Sequence, residues 1–209
     1  MNEIAAIILA AGEASRFRAA AGEQGPQTKL VALHHGKPLV RHVAEAALAA
    51  GLAPVIAVTG HAREHVAQAL SGLDLKHVPN DAYASGMASS LKAGAAALPS
   101  HVGGFVVLLG DMPLVSAALI RALVDAYLAD PRADAIVPVL AGERGNPVLL
   151  SQRMVARIMQ LSGDAGARKI LQDPGLNIVE MPVADEAARI DIDTPQALVA
   201  LGKAHPSAL

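Results

Sequence analysis

A segment rich in small residues and cations follows the first apolar run of the chain. It reads Leu9-Ala10-Ala11-Gly12-Glu13-Ala14-Ser15-Arg16-Phe17, and Lys29 comes before the next predicted helix. Small residues let backbone N–H groups approach an anion closely, and Arg16 and Lys29 supply positive charge. The pattern indicates a site for a nucleoside triphosphate. It contains neither G-x-G-x-x-G nor G-x-x-x-x-G-K-[ST], which argues against the dinucleotide-binding loop and the Walker loop.

An acidic residue stands at the end of a predicted buried strand. The apolar run Phe105–Leu109 leads directly into Gly110-Asp111-Met112-Pro113. Ligands gather at the carboxyl ends of strands in open α/β sheets, and a carboxylate there can hold a hard cation beside phosphates. The same sequence is equally typical of a turn that an aspartate caps. The cationic loop favours Asp111 as a metal ligand.

Two more aspartates precede the last predicted helix. Polar and apolar residues alternate from Arg189 to Pro195, so Asp191 and Asp193 project to one side of the chain. Either one is a candidate second metal ligand. Helix capping by Asp193 or Thr194 is the more frequent use of such a sequence, and the two roles are compatible.

Three polar loops complete the candidate set. The loop from Asn80 to Leu91 enters a helix that begins near Ser85 or Gly86, and its hydroxyl and N–H groups can contact a base or a sugar. The segments 144–147 and 163–168 each combine an arginine with glycine. Such segments are usually turns, but they also suit a second anionic ligand.

Composition argues against several classes of function. The net charge is −2 without a basic block, so a nucleic-acid or anionic-membrane surface is not expected. Cysteine is absent, which excludes disulfides, thiolate metal sites and cysteine nucleophiles and fits a cytoplasmic location, as does the start at Met1 without a leader pattern. The histidines form no H-E-x-x-H, and G-x-S-x-G is missing, so zinc and serine-triad chemistry are disfavoured.

The candidate residues require a scaffold in which strands and helices alternate. Strands are predicted at 4–10, 55–58, 75–78 and 105–109, and helices at 38–50, 61–70, 85–97 and 116–129. The rhythm then changes to a predicted antiparallel hairpin at 135–140 and 146–150, helices at about 151–161 and 164–172, a strand near 176–181 and a helix from Thr194. This order predicts one α/β domain over residues 1–209, a sandwich with a mixed, mostly parallel sheet.

Taken in chain order, the motifs resemble those of the molybdenum cofactor nucleotidyltransferases, most closely the cytidylyltransferase branch of this NTP transferase family. The resemblance rests on the segments 9–17 with Lys29, 80–90, 110–113, 144–147, 163–168 and 191–195. It implies a three-layer α/β sandwich of the nucleotide-diphospho-sugar transferase (GT-A-like) type. In that fold, residues up to about 115 would bind the nucleotide and residues 116–209 the acceptor.

The resemblance also implies roles for individual residues. The nucleotide would be held by Leu9, Ala10, Ala11, Gly12, Arg16, Lys29, Asn80, Gly86, Ser90 and Asp111. Arg16, Lys29 and Asp111 would be catalytic, and Asp111 with Asp193 would hold Mg²⁺. The acceptor would be bound by Arg144, Asn146, Asp164 and Arg168.

The implied reaction is the Mg²⁺-dependent transfer of CMP from CTP to molybdopterin with release of pyrophosphate, with a client molybdoenzyme as a further partner. Ala11 favours CTP, because the guanylyl branch usually has glycine there. GTP, a sugar-phosphate acceptor and a non-catalytic molybdenum cofactor carrier stay open as alternatives. Two departures stand out: Arg18 replaces a common glycine in a loop that extends to Thr28, and Asn146 replaces a common histidine.

Overall fold

The computed structural model describes residues 3–22, 25–184 and 186–204. The strands are β1 (Ile4–Ala10), β2 (Leu33–His34), β3 (Lys37–Pro38), β4 (Val55–Thr59), β5 (Lys76–Pro79), β6 (Gly104–Leu109), β7 (Ala135–Leu140), β8 (Glu143–Arg144), β9 (Val148–Ser151) and β10 (Ile178–Pro182). The α-helices are α1 (Ser15–Ala21), α2 (Leu39–Ala49), α3 (Arg63–Ala69), α4 (Met87–Ala96), α5 (Ala117–Ala129), α6 (Val155–Ile158), α7 (Ala167–Ile170) and α8 (Pro195–Ala204). Short 3-10 turns lie at Lys29–Val31, Tyr83–Ser85, Gln152–Met154 and Glu186–Ala188.

The main sheet has the strand order β10-β7-β9-β6-β1-β4-β5, and β8 pairs with β7. Strand β1 is parallel to β4 and β6, β4 is parallel to β5, and β7 is parallel to β10. Strand β9 runs antiparallel to both β6 and β7. The predicted mixed, mostly parallel sheet is confirmed. It crosses the predicted boundary near residue 115, because β6 pairs with β9.

Helices cover both faces of the sheet. Alternate residues of β1 enter different clusters, with Ile8 in the cluster that includes α2 and α5, and Ile7 in the cluster that includes α4 and α6. This division follows from the two-residue period of a strand. A central strand buried on both faces must be apolar throughout, as β1 is. The three-layer sandwich is therefore present.

The C-terminal helix packs beside the loop that follows β1. Phe17 of α1, Leu39 of α2, and Ile192 and Leu201 near the C-terminus share a third buried cluster. The backbone N–H of Ile192 donates to the carbonyl oxygen of Asp111 at 3.0 Å. These contacts place residues 191–193 against the end of β6.

Several predicted elements differ in the structure. The hairpin turn lies at Ala141-Gly142, where both residues have positive φ, as a two-residue type I′ turn requires, so β7 pairs with β8. Strand β9 then lies between β6 and β7, so the predicted antiparallel pairing of 135–140 with 146–150 is present, with Ala135 opposite Leu150. The helices predicted at 151–161 and 164–172 are each only one turn long in the structure. They lie on either side of Gly163, whose φ is also positive.

The predicted loop of residues 18–28 begins inside a helix. Helix α1 extends to Ala21, because alanine and arginine favour helix and Phe17 is buried. Residues 23 and 24 of that loop lie outside the described residues, as does Met1 at the chain start.

Pro38 precedes α2 instead of occupying its first position. None of the helices in the described part of the chain combines the length and the hydrophobicity that a membrane-spanning helix needs.

Helix α4 packs closely on β1 because residue 94 is glycine. A Cβ at this position would lie 2.5 Å from Cγ2 of the buried Ile7. We expect Gly94→Ala to destabilise the fold, because overpacking costs about 1–3 kcal/mol and the gain in helix propensity is at most about 1 kcal/mol. Gly202 in α8 has nothing within 4 Å of its built Cβ. Gly202→Ala is the matched control and should stabilise the protein in urea unfolding; the account of α4 is wrong if both variants gain stability.

Candidate active site

The loop after β1 is held against a neighbouring turn by a close approach. The N–H of His61 donates to the carbonyl oxygen of Ala11 at 3.0 Å. A Cβ at Gly60 would lie 2.6 Å from Cβ of Tyr83 and 2.9 Å from Cβ of Ala11. Glycine is therefore required at position 60, and the loop is fixed beside the Tyr83–Ser85 turn.

A cleft of about 490 Å³ opens at this end of the sheet. Its lining residues are Leu9, Ala11, Gly12, Glu13, Ala14, Ser15, Arg16, Phe17, Lys29, Leu30, Tyr83, Ala84, Gly86, Met87, Ser90, Leu109, Asp111, Asp164, Asp191 and Asp193. The cleft thus unites the predicted phosphate loop with Asp111, Asp193 and part of each of two polar loops. Five predicted residues do not line it: Ala10, Asn80, Arg144, Asn146 and Arg168.

An ion cluster lies in the cleft. Nζ of Lys29 is 2.6 Å from Oδ2 of Asp111 and 2.7 Å from Oδ1 of Asp193. The other carboxylate oxygen of Asp193 is 2.9 Å from Nη2 of Arg16. Lys29 and Asp111 are each 15% exposed at the side chain, whereas Arg16 is 77% exposed. The two cations therefore differ: Lys29 lies between the carboxylates and Arg16 at the solvent edge.

The cluster shifts the pKa of two of its members. Burial alone would lower the pKa of Lys29, but Asp111 and Asp193 outweigh it and raise that pKa above its ordinary value. The hydrogen bond from Lys29 lowers the pKa of Asp193 below its ordinary range, and burial opposes this effect. Lys29 and Asp193 are therefore both charged at neutral pH.

Asp191 joins the two predicted metal ligands. One carboxylate oxygen from each of Asp111, Asp191 and Asp193 lies within 4.8 Å of the others. Oxygen ligands at this spacing suit a hard divalent cation. The ammonium of Lys29 bridges Asp111 and Asp193, so a positive charge already lies between two of the three carboxylates. The donor set therefore fits Mg²⁺ or Mn²⁺, and both Asp191 and Asp193 are in place.

Asn80 is buried behind the cleft, where it positions Ser90. Its Nδ2 donates to Oγ of Ser89 at 2.8 Å and to Oγ of Ser90 at 3.0 Å, and its Oδ1 accepts from the N–H of Ala82 at 3.0 Å. Ser90 itself lines the cleft. Asn80 therefore fixes the start of α4 and the Ser90 hydroxyl without reaching the cleft surface.

We expect Asn80→Ala to lower the free energy of unfolding by about 2–3 kcal/mol, because buried groups lose their hydrogen-bond partners. Urea unfolding measures this change. Ser85 donates one exposed hydrogen bond to the carbonyl oxygen of Ala82. Ser85→Ala is the matched control, with an expected loss below about 1 kcal/mol. Equal losses for the two variants would contradict the positioning role of Asn80.

Of the four predicted acceptor-binding residues, one lines the cleft and three do not. Asp164 lines the cleft, and its loop is attached to α4 because the N–H of Ala88 donates to the carbonyl oxygen of Gly163 at 3.0 Å. Arg144 instead donates to Oε1 of Glu180 and to the carbonyl oxygen of Leu171, both at 2.8 Å. These contacts hold the side chain of Arg144 beside β10.

The other two acceptor candidates also lie away from the cleft lining. The backbone N–H of Asn146 donates to the carbonyl oxygen of Ala188 at 2.8 Å, so this turn packs on the short 186–188 helix. Arg168 lies exposed on α7. Neither residue is among those that line the cleft.

Tyr83, Met87 and Glu13 line the cleft but were not predicted individually as site residues. Tyr83 and Met87 lie within the polar loop from Asn80 to Leu91, and Glu13 within the loop after β1. The sequence feature that could have identified these residues is a large side chain inside a predicted binding loop. Tyr83 was the clearest case, because the chain has only two tyrosines.

Comparison with known proteins shows the family of the chain. A family model described as the MobA-like NTP transferase domain matches residues 6–179. The chain belongs to this family. The transferase domain is also 29% identical over 204 residues to the bifunctional protein GlmU of Leifsonia xyli, covering 93% of this chain and 40% of that protein. The chain thus spans less than half the length of this curated relative.

Two solved structures are similar to the transferase domain over nearly its whole length. Rv0371c from Mycobacterium tuberculosis has a TM-score of 0.82 at 24% identity, with 97% of this chain and 98% of that chain covered. A nucleotidyl transferase from Methanothermobacter thermautotroptrophicus has a TM-score of 0.81 at 25% identity, with 98% of each chain covered. These similarities show that the chain has the same fold as both structures.

Proposed function

We propose that the protein is a Mg²⁺-dependent nucleotidyltransferase that transfers CMP from CTP to the phosphate of molybdopterin. The observation that carries this proposal is the convergence of Lys29, Arg16 and three aspartates in one cleft with the loop after β1. Membership of the NTP transferase family supports the same reaction class. The domain division near residue 115, the cytoplasmic location and a client molybdoenzyme stay predictions.

In the proposed reaction, an oxygen of the acceptor phosphate forms a bond to the α-phosphorus of CTP. The bond from that phosphorus to the bridging oxygen breaks, and pyrophosphate leaves with the electron pair. The attacking phosphate is already anionic, so the site needs no strong general base. Lys29 and Arg16 neutralise charge on the triphosphate, and the loop after β1 orients the nucleotide.

Asp111 and Asp193 would hold Mg²⁺, with Asp191 as a neighbouring ligand. When bound, the cation would withdraw charge from phosphate oxygens. Among the described residues, the cleft lining has two cationic side chains and five carboxylates, those of Glu13, Asp111, Asp164, Asp191 and Asp193. A site with this balance needs added positive charge before two phosphorylated substrates can meet in it, and this supports a metal-dependent reaction.

The preference for CTP is argued from Ala11. This residue lines the cleft, and the resemblance to the cytidylyltransferase branch supports CTP, because the guanylyl branch usually has glycine at this position. Pyrophosphate release with CTP should therefore exceed release with GTP. Greater release with GTP would overturn the choice of base and leave the transfer reaction standing.

The choice of acceptor rests on Asp164. Its carboxylate suits a hydrogen-bond donor, such as the amino group of a pterin, and repels a phosphate. The acceptor phosphate is therefore expected near Lys29 and Arg16. The hydroxyl groups of a sugar phosphate would satisfy Asp164 equally, and similarity to GlmU favours this second candidate.

The carrier alternative is weakened by the position of Arg18. This side chain lies on α1 with Nη1 3.3 Å from Nε2 of His61, and it is not part of the cleft lining. The Arg18 side chain, which replaces a common glycine of the family, therefore does not fill the cleft. Tight binding of the finished cofactor without pyrophosphate release would restore the carrier hypothesis.

The decisive experiment measures pyrophosphate release with each of the four triphosphates, with Mg²⁺, against molybdopterin and a panel of sugar 1-phosphates. We expect the highest rate with CTP and molybdopterin. Turnover only with a sugar phosphate would establish the second candidate. No release from any pair would refute the proposed reaction.

A further inference from the structure

The ammonium group of Lys29 occupies a place that a metal ion would need. It lies within hydrogen-bond distance of one carboxylate oxygen of Asp111 and one of Asp193, at 2.6 and 2.7 Å. A divalent cation held by these same two oxygens would need the place that the ammonium group occupies. Two positive centres cannot share that space. The contacts of Lys29 and a metal held by these two oxygens would therefore compete for one place.

We propose that Lys29 occupies the divalent-cation position in the nucleotide-free protein, and that the triphosphate admits the cation by drawing Lys29 away from the two aspartates. The inference rests on the proposed function, since it assigns the triphosphate to this cleft. It adds a statement about binding: the metal and the nucleotide bind together, and the nucleotide-free protein binds the metal weakly.

The residues around Lys29 allow its side chain to move while its backbone stays fixed. Thr28 is fully buried and Leu30 is 4% exposed in the main core. The hydroxyl oxygen of Thr28 accepts a hydrogen bond from the N–H of Leu30, which caps the short helix that carries Lys29. The flexible stem of lysine can then exchange a carboxylate pair for a phosphate group without any change in the fold.

Arg16 does not block the same position. It contacts the other oxygen of Asp193, and its side chain is largely exposed. An exposed ion pair contributes little and is screened by salt. Loss of Arg16 removes the same formal charge as loss of Lys29, but it leaves the space between Asp111 and Asp193 occupied. The two cations therefore provide a matched comparison between general charge and occupancy of the metal position.

The test is a titration with Mn²⁺ alone, followed by electron paramagnetic resonance, on the nucleotide-free protein. We expect Lys29→Met and Lys29→Gln to bind Mn²⁺ about tenfold more tightly than the unchanged protein, because two carboxylates lose a competing cation. Arg16→Met should change the affinity by less than about threefold. Thermal unfolding in the presence of a chelator checks that each variant is folded.

A second titration includes a non-hydrolysable CTP analogue. The analogue should increase Mn²⁺ affinity more in the unchanged protein than in Lys29→Met, because only the unchanged protein must displace its lysine. Equal Mn²⁺ affinities for the unchanged protein and both neutral variants would overturn the inference, and so would an equal gain in Arg16→Met. These titrations contain no acceptor, so tighter Mn²⁺ binding in the Lys29 variants, combined with no pyrophosphate release by the unchanged protein in the acceptor assay, would refute only the transfer reaction.

Discussion

Replacing Asp111 by asparagine is expected to lower kcat for pyrophosphate release by about 100-fold or more. Asp111 is 15% exposed, lies just after β6, behind Gly110, and shares Lys29 with Asp193. Asparagine keeps the shape of the side chain but removes the charge that would hold the cation. Turnover with Mg²⁺ as the varied component measures the effect, and excess Mg²⁺ should restore activity only in part.

Asp125 provides the control for this substitution. It lies exposed on α5, outside the set of residues that line the cleft. Asp125→Asn should leave kcat within about twofold of the unchanged protein, since surface substitutions of this kind have small effects. If Asp111→Asn were as active as this control, Asp111 could not be a ligand of a catalytic metal.

Lys29→Ala is expected to reduce turnover by a comparable factor, about 100-fold or more, because an ammonium positioned at the triphosphate is lost. Saturating CTP should not restore the rate of turnover, since charge stabilisation in the transition state is missing and the loss is therefore in kcat. The fold should remain intact, because the backbone at this position is held by the buried Thr28 and Leu30.

Lys76→Ala serves as the matched loss of a lysine. Lys76 is exposed on β5 and does not line the cleft. Its kcat should match that of the unchanged protein. The assigned role of Lys29 fails if Lys29→Ala retains the kcat of this control, whatever happens to the KM for CTP.

Local patterns were sufficient to predict the scaffold. The continuous apolar runs of β1 and β6 identified strands buried on both faces, and Ser116 identified the start of α5, where its Oγ accepts from the N–H of Leu119 at 3.1 Å. Because parallel strands end at the same edge of a sheet, the loop after β1 and Asp111 could be expected to meet.

Long-range pairing set the limit of the prediction. The antiparallel pairing of β9 with β7 was predicted, but its pairing with β6 had no local signal in the sequence. Asn80 carried the signature of a binding loop, yet the structure buries it as the partner of Ser89 and Ser90. Arg144 likewise looked like an anion-binding residue, and its contacts with Glu180 and Leu171 depend on strand neighbours that only the folded chain brings together.

The most direct test of the account is a crystal structure with Mn²⁺ and a non-hydrolysable CTP analogue, in which anomalous scattering locates the metal. We predict an anomalous peak between Asp111 and Asp193, with the triphosphate along the loop after β1 and Nζ of Lys29 on a phosphate oxygen. A metal bound elsewhere, or a triphosphate outside the cleft while Lys29 still bridges the two aspartates, would contradict the account.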